Sequence, residues 1–187
     1  MEMSKKYVYK LTLSAIFVAL ATVLSLIKVY KLPLGGAVTL LSMLPIVMLS
    51  VMLGVKWGLG AAFVYSLAQL ALDLGDVLTW GLTPASLVGT ILLDYIFAFT
   101  VLGLGGLFAK KGYLGICIGS VLVMVLRFLC HFVSGIIIFD IWCEWDSVWL
   151  YSLCYNGSFM LPELILTTVA AVLLFRLPQV KKIMNRQ

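Results

Sequence analysis

The sequence predicts an all-α integral membrane protein, a single domain with six transmembrane helices. Hydrophobic residues make up 63% of the 187 residues and charged residues 11%, and the mean hydropathy is +1.14. A soluble domain with a water-facing surface does not reach this apolar content. The apolar residues also form long runs, and the run 113–139 is long enough as a helix to cross a hydrocarbon core of about 30 Å. Composition and run length together place residues 1–187 in a lipid bilayer.

The N-terminal part of the chain contains two predicted helices and the loop between them. Residues 1–10 form a short basic leader, and the apolar run 11–27 is long for a signal peptide and lacks a small-residue cleavage site. The segment 28–38 contains a proline and two adjacent glycines, which predict a loop that folds back over the bundle. The second helix, 39–53, includes Pro45 as a first-turn proline or a kink.

Four further apolar runs follow, separated by short polar segments. A basic turn with an interfacial tryptophan precedes the third run, and an acidic loop at 73–84 precedes the fourth. Two lysines and a glycine end the fourth run, and an acidic, aromatic loop at 140–148 precedes the sixth. The last four predicted helices are 59–72, 85–109, 113–139 and 149–174.

Basic residues between the helices indicate the orientation of the bundle. Most of them fall on one side of a six-span arrangement, whereas Lys28 and Lys31 fall on the other. The positive-inside rule therefore predicts a multi-pass protein of the cell membrane with both termini in the cytoplasm. Because these charges are scattered between apolar runs, they do not indicate binding to nucleic acid. The residues on the predicted inner side are Lys5, Lys6, Lys10, Lys56, Lys110, Lys111, Arg176, Lys181, Lys182 and Arg186.

Polar residues at bilayer depth are the main functional signal. Arg127 and His131 are four residues apart, so they share one face of the fifth helix. Such groups cost a few kcal/mol each to insert and normally face a bundle interior or a wet cavity. With the predicted orientation, Asp94, His131 and Asn156 lie about 14, 12 and 10 Å below the outer surface, on three different helices. Their convergence predicts an outward-facing pocket.

Aromatic residues adjoin these polar groups. Tyr95 follows Asp94, and Tyr151 precedes Asn156 on the sixth helix, so both are predicted to form pocket walls. Tyr151 is also close enough to the surface to be an interfacial belt residue.

Arg127 and Glu163 have simpler interpretations as well. Arg127 would pair with Asp94 or Glu163, with no role in binding. Glu163 follows Pro162, where a carboxylate would satisfy backbone groups that a kink leaves unpaired.

Four segments carry a resemblance to a known family. They are LPLGGAV at 32–38, DYIFAF at 94–99, RFLCHFVSG at 127–135 and VWLYSLCYNGSFMLP at 148–162. In this combination the chain resembles the ThiT family, the thiamine-specific S components of energy-coupling factor (ECF) transporters. The resemblance covers the helix order and most of the chain. It implies an S-component bundle that captures thiamine, vitamin B1, from outside and works with a transmembrane coupling subunit and two cytoplasmic ATPase subunits.

The resemblance also implies roles for particular residues. The family's thiamine-binding positions fall on Asp94, Tyr95, His131, Phe139, Tyr151 and Asn156. Ala15 and Ala19 have a small-xxx-small spacing that lets a second helix approach closely. On spacing alone they would pack within the chain, but the resemblance implies that they dock on the coupling subunit.

The chain departs from the family at several positions. Leu34 stands where the family often has tryptophan, Phe139 where some members have tryptophan, and Asp94 where some have glutamate. The loop after the fifth helix carries Trp142 and Trp145, which would supply aromatic cover from another direction. These changes leave a thiamine precursor or another small vitamin as the alternative ligand.

Two other classes of function are weaker interpretations. An intramembrane enzyme is disfavoured because GxSxG and HExxH motifs are absent and Cys130 points about 100° away from His131 around the helix. The four cysteines have no metal-ligand spacing, so neither a metal nor a cofactor is predicted. An autonomous carrier is disfavoured because the chain has neither a phosphate-binding loop motif nor a convincing internal repeat.

Overall fold

A computed structural model describes the backbone of residues 2–180 and the side chains of residues 4–180. It is a bundle of apolar helices with one short β-hairpin between the first two. The hairpin strands, β1 (Lys28–Lys31) and β2 (Ala37–Thr39), are antiparallel. The helices are α1 (Glu2–Ser25), α2 (Leu44–Leu53), α3 (Val55–Thr79), α4 (Pro84–Leu104), α5 (Gly112–Ile137) and α6 (Val148–Arg176).

The predicted all-α membrane fold is confirmed, but the second helix is much shorter than expected. Among the described residues, five helices are long and apolar enough to cross a membrane, and α2 is the shorter exception. At ten residues, α2 is about 15 Å long. Residues 39–43, predicted as the start of this helix, instead belong to β2 and a turn. Nearly all of α2 is buried against α1, α3 and α6, so it lies inside the bundle rather than against lipid.

The acidic segment predicted as a loop is partly helical, and this prediction is wrong. α3 continues through Asp73 and Asp76 to Thr79. The two carboxylates pair with lysines of β1. Lys28 Nζ lies 3.4 Å from Asp73 Oδ1, and Lys31 Nζ lies 3.6 Å from Asp76 Oδ2. The polar residues that suggested a loop instead belong to the C-terminal end of a long helix.

Small residues allow close helix crossings at the end of the bundle opposite the hairpin. Ser50 Oγ of α2 donates to the carbonyl oxygen of Gly103 at 2.5 Å and accepts from the N–H of Gly106 at 2.9 Å. On α5, Gly119 lies directly against the backbone of Gly105, and a Cβ at Gly119 would overlap the carbonyl oxygen of Gly105. Backbone contact at such points replaces side-chain packing, as is common between membrane helices.

We expect Gly119→Ala to destabilise the protein, because the added methyl group has no space against the backbone of Gly105. Forced overpacking of this kind costs about 1–3 kcal/mol. The matched control is Gly60→Ala on α3, where an added Cβ meets no atom of the described residues within 4 Å. Thermal unfolding of the detergent-purified variants measures the difference. Equal melting temperatures for the two alanine variants would contradict the close crossing.

Candidate functional site

A cavity of about 100 Å³ lies beneath the hairpin, between α1, α3, α4, α5 and α6. One water molecule needs about 10–15 Å³ of such space, so the cavity is larger than a buried-water site. All six residues predicted from the sequence to bind a ligand contribute to its lining. They are Asp94, Tyr95, His131, Phe139, Tyr151 and Asn156.

Asp94 is held by hydrogen bonds from α5. His131 Nδ1 lies 2.8 Å from Asp94 Oδ1, and Ser134 Oγ donates to Asp94 Oδ2 at 2.5 Å. Both side chains of the aspartate–histidine pair are largely buried, with 15% and 11% of the side chain exposed. Two donors therefore fix the carboxylate at the edge of the cavity.

The hydrogen bonds also define the proton position on His131. Arg127 Nε lies 3.2 Å from His131 Nε2. A guanidinium only donates hydrogen bonds, so Nε2 must accept and the ring proton lies on Nδ1, from which it is donated to Asp94. Arg127, His131 and Asp94 thus form one directed chain of hydrogen bonds.

A π-helical segment in α4 positions Asp94 and Tyr95. The helix widens from Ile91 to Phe97, and the N–H of Ala98 bonds to the carbonyl of Leu93, five residues back. Such segments are rare and are frequent at functional sites. Tyr95 is buried, and its hydroxyl lies 3.5 Å from Asp73 Oδ2, within the same cavity wall.

Asn156 is positioned by a close approach of α5 and α6. Its Nδ2 lies 3.2 Å from the carbonyl oxygen of His131 and 3.0 Å from that of Ser152. Gly135 permits this approach, because a Cβ at that position would overlap Ser152 Oγ and come within 3.1 Å of Asn156 Nδ2.

Aromatic side chains form much of the remaining wall. Tyr151 stacks on Tyr155 with ring centroids 6.0 Å apart, and Tyr155 contacts the edge of Phe159 at 6.0 Å. On another side, Trp80 packs against Phe139 at 5.8 Å. Each of these five rings contributes to the cavity lining.

The two tryptophans of the loop after α5 support this wall from behind. Trp142 packs against Phe139 with centroids 5.5 Å apart, and Trp145 packs against Tyr151 at 5.9 Å. They contact the cavity-lining rings, while neither is itself among the lining residues that the structure describes.

The hairpin tip covers the cavity and is bonded to α6. The hydroxyl of Tyr155 donates to the carbonyl of Pro33 and lies 3.3 Å from the N–H of Gly36, which donates to it. Leu34 lies at the tip in a left-handed backbone conformation, with φ 58°, and lines the cavity. Gly36 packs closely here, since a Cβ there would lie 3.0 Å from both Phe159 and the Tyr155 hydroxyl.

Arg127 and Glu163 have other contacts than the sequence suggested. The Arg127 guanidinium lies 4.1 Å from the centroid of Phe99 and contacts Met43 Sδ at 2.7 Å, and it forms no ion pair with a carboxylate of the described residues. Glu163 is fully buried and accepts hydrogen bonds from the N–H and hydroxyl of Thr39, at 2.5 and 2.7 Å. Glu163 therefore holds the end of β2, and its hydrogen bonds do not go to the backbone near Pro162.

Lys28, Asp73 and Trp80 are among the cavity residues that the sequence did not assign to the site. Asp73 and Trp80 lie in the segment that was interpreted as a loop, so no helix face was assigned to them. The spacing of Gln69, Asp73 and Val77 at every fourth residue is a signal that would have extended α3. Among the described residues, no group of three or more His, Cys, Asp or Glu side chains is arranged to hold a metal ion.

Comparisons with known proteins agree with this architecture. The family model described as "Thiamine transporter protein (Thia_YuaJ)" matches residues 11–183. The chain belongs to this thiamine transporter family. The thiamine transporter ThiT of Bacillus subtilis (strain 168) is 33% identical over 190 residues, covering 94% of each chain. The thiamine transporter ThiT of Lacticaseibacillus paracasei is 30% identical over 157 residues, covering 73% of each.

A solved structure of ThiT from Listeria monocytogenes has the same fold. It superimposes with a TM-score of 0.76, covering 96% of this chain and 98% of the other at 21% identity. The present chain is a member of the thiamine transporter family, and its own cavity combines a fixed carboxylate, an amide and several aromatic faces. That combination suits a flat, cationic organic molecule.

We expect the imidazole of His131 to carry its proton on Nδ1 and not on Nε2. His131 is the only histidine in the chain, so selective ¹⁵N labelling and NMR of the detergent-solubilised protein report on this ring alone. Arg127→Met removes the donor to Nε2 and should allow the other tautomer. Arg176→Met, which removes a guanidinium located over Tyr113 instead, should leave the spectrum unchanged. A proton on Nε2 in the wild-type protein would contradict the assigned hydrogen bonds.

Proposed function

We propose that this chain captures thiamine from outside the cell and, as the S component of an ECF transporter, delivers it for uptake. The observation that carries this proposal is the meeting of Asp94, Asn156 and aromatic rings in one cavity, within the helices of a thiamine transporter family member. A role in transport, rather than catalysis, agrees with the family.

The two rings of thiamine match the two kinds of surface in the cavity. The thiazolium is a permanent cation, for which Asp94 supplies a negative charge and Tyr151, Tyr155 and Phe139 supply ring faces. A desolvated cation over an aromatic face gains about 2 kcal/mol. The aminopyrimidine is flat and forms hydrogen bonds, so stacking on the same rings and contact with Asn156 suit it.

The hairpin acts as the lid of this site. Its tip is bonded to Tyr155, and Leu34 faces the cavity. Substrate entry therefore requires the tip to separate from α6, and closure afterwards removes the ligand from water. Exclusion of water strengthens the charge contacts inside the cavity.

Delivery into the cell needs other subunits. The chain has no phosphate-binding loop motif, so ATP hydrolysis must come from the two cytoplasmic ATPase subunits through the coupling subunit. Ala15 and Ala19 are exposed on α1. Their exposure and spacing support this face as the docking surface for the coupling subunit.

The proposed orientation places both termini in the cytoplasm of a cell-membrane protein. Lys5, Lys6 and Lys10 at the start of α1, and Lys110 and Lys111 before α5, support it by the positive-inside rule. Lys181, Lys182 and Arg186, which entered the same prediction, lie outside the described residues. In this orientation the hairpin faces outward.

Asp94→Asn should weaken thiamine binding by about ten- to a hundredfold, because a charged hydrogen-bonding partner contributes about 1.5–3 kcal/mol. Titration of the purified protein with thiamine, followed by tryptophan fluorescence, measures this, and Trp80 in the cavity wall supplies the signal. A neutral analogue in which thiophene replaces thiazolium is the control ligand, and the variant should bind it nearly as well as wild type does. Equal losses for both ligands would show that Asp94 has only a structural role.

Ala15→Trp should block association with the coupling subunit while leaving thiamine affinity unchanged, because the indole prevents close helix contact. Copurification with the coupling and ATPase subunits measures association. Ala71→Trp is the matched control, since Ala71 is an exposed alanine on α3. If both tryptophan variants copurified normally, the docking surface would lie elsewhere.

A further inference from the structure

The cavity contains a second carboxylate that the sequence did not assign to the site. Asp73, on α3, lines the cavity together with Lys28, on β1. Their side chains form an ion pair of 3.4 Å and are only 28% and 30% exposed. The pair therefore lies at the edge of the proposed binding site, partly shielded from solvent.

The two oxygens of Asp73 have different partners. Oδ1 faces the Lys28 ammonium, and Oδ2 lies 3.5 Å from the hydroxyl of Tyr95. Tyr95 directly follows Asp94 in the π-helical segment. Asp73 and Asp94 thus contribute negative charge to one cavity from two different helices.

Resting on the proposed function, we propose that Asp73 is a second carboxylate for the cationic ring of the ligand and that Lys28 competes with the ligand for it. A ligand cation near Asp73 meets the positive charge of Lys28 at the same oxygen. Binding then requires the flexible lysine side chain to turn away towards solvent, which its partial exposure allows. Lys28 lowers affinity and favours ligands whose positive charge can replace its own.

A neighbouring ion pair provides an internal comparison. Lys31 and Asp76 also join β1 to α3, at 3.6 Å, but their side chains are 57% and 67% exposed. Neither is among the described residues that line the cavity. Both pairs connect the same two elements, so they differ chiefly in their contact with the cavity.

The experiment compares matched variants with a cationic and a neutral ligand. Lys28→Met should bind thiamine about three- to tenfold more tightly, the size expected for a partly exposed charge pair. It should bind the neutral thiophene analogue as wild type does. Lys31→Met should change neither affinity by more than about twofold, since exposed charges are screened by physiological salt.

Asp73 is tested in the Lys28→Met background, so that no unpaired lysine is left in the cavity. The double variant Lys28→Met/Asp73→Asn should bind thiamine about tenfold more weakly than Lys28→Met, with little change for the neutral analogue. Asp76→Asn in the Lys31→Met background is the control. Isothermal titration calorimetry gives the affinities, and thermal unfolding verifies that each variant is folded.

The outcomes separate this inference from the proposed function. If Lys28→Met binds thiamine no more tightly than wild type, or changes both ligands equally, the pair only fastens the hairpin to α3 and the inference is wrong. If the double variant does not fold, the affinities of Lys28→Met for the two ligands alone decide whether the inference is right. Absence of thiamine binding by the wild-type protein would overturn the proposed function and this inference together.

Discussion

The site depends on a carboxylate that is kept paired inside an apolar bundle. Asp94 receives one hydrogen bond from His131 and one from Ser134, both on α5. An unpaired carboxylate at this depth would be strongly destabilising, so its position is tied to the crossing of α4 and α5. Arg127 extends the arrangement by directing the proton of His131 towards Asp94. The position of the negative charge in the cavity wall is therefore a property of the helix packing and not of one flexible side chain.

The hairpin that covers the cavity is held by α6, the helix that also forms one of the cavity walls. α6 supplies Asn156 to the wall, and it also holds the hairpin at two points. Tyr155 bonds the tip, and Glu163 bonds the end of β2 through Thr39. Tyr155 is in the cavity lining, whereas Glu163 is buried below it. The tip and the base bond to different residues of α6, so the tip can separate while Thr39 keeps the base attached.

Local sequence patterns predicted the membrane helices and a shared cavity for the polar residues, but not every contact. Run length was enough to predict the bundle, and Asp94, His131 and Asn156, predicted from the sequence to converge, line one cavity. Asp73 was missed because polar residues at the end of a long membrane helix resemble a loop. The bond between Thr39 and Glu163 joins residues 124 positions apart, and no local spacing encodes such a contact.

Negative charge alone does not explain selection among cations. A small inorganic cation is strongly hydrated. The cavity would have to replace its water ligands with the carboxylate oxygens of Asp94 and Asp73, which already bond to His131, Ser134 and Tyr95. A delocalised organic cation is weakly hydrated, and it gains contact with the aromatic rings that form much of the wall. Specificity is the difference between the binding free energies of the organic and the inorganic cation. The proposed function thus assigns the choice among cations to the aromatic wall and the preference for a positive charge to the carboxylates.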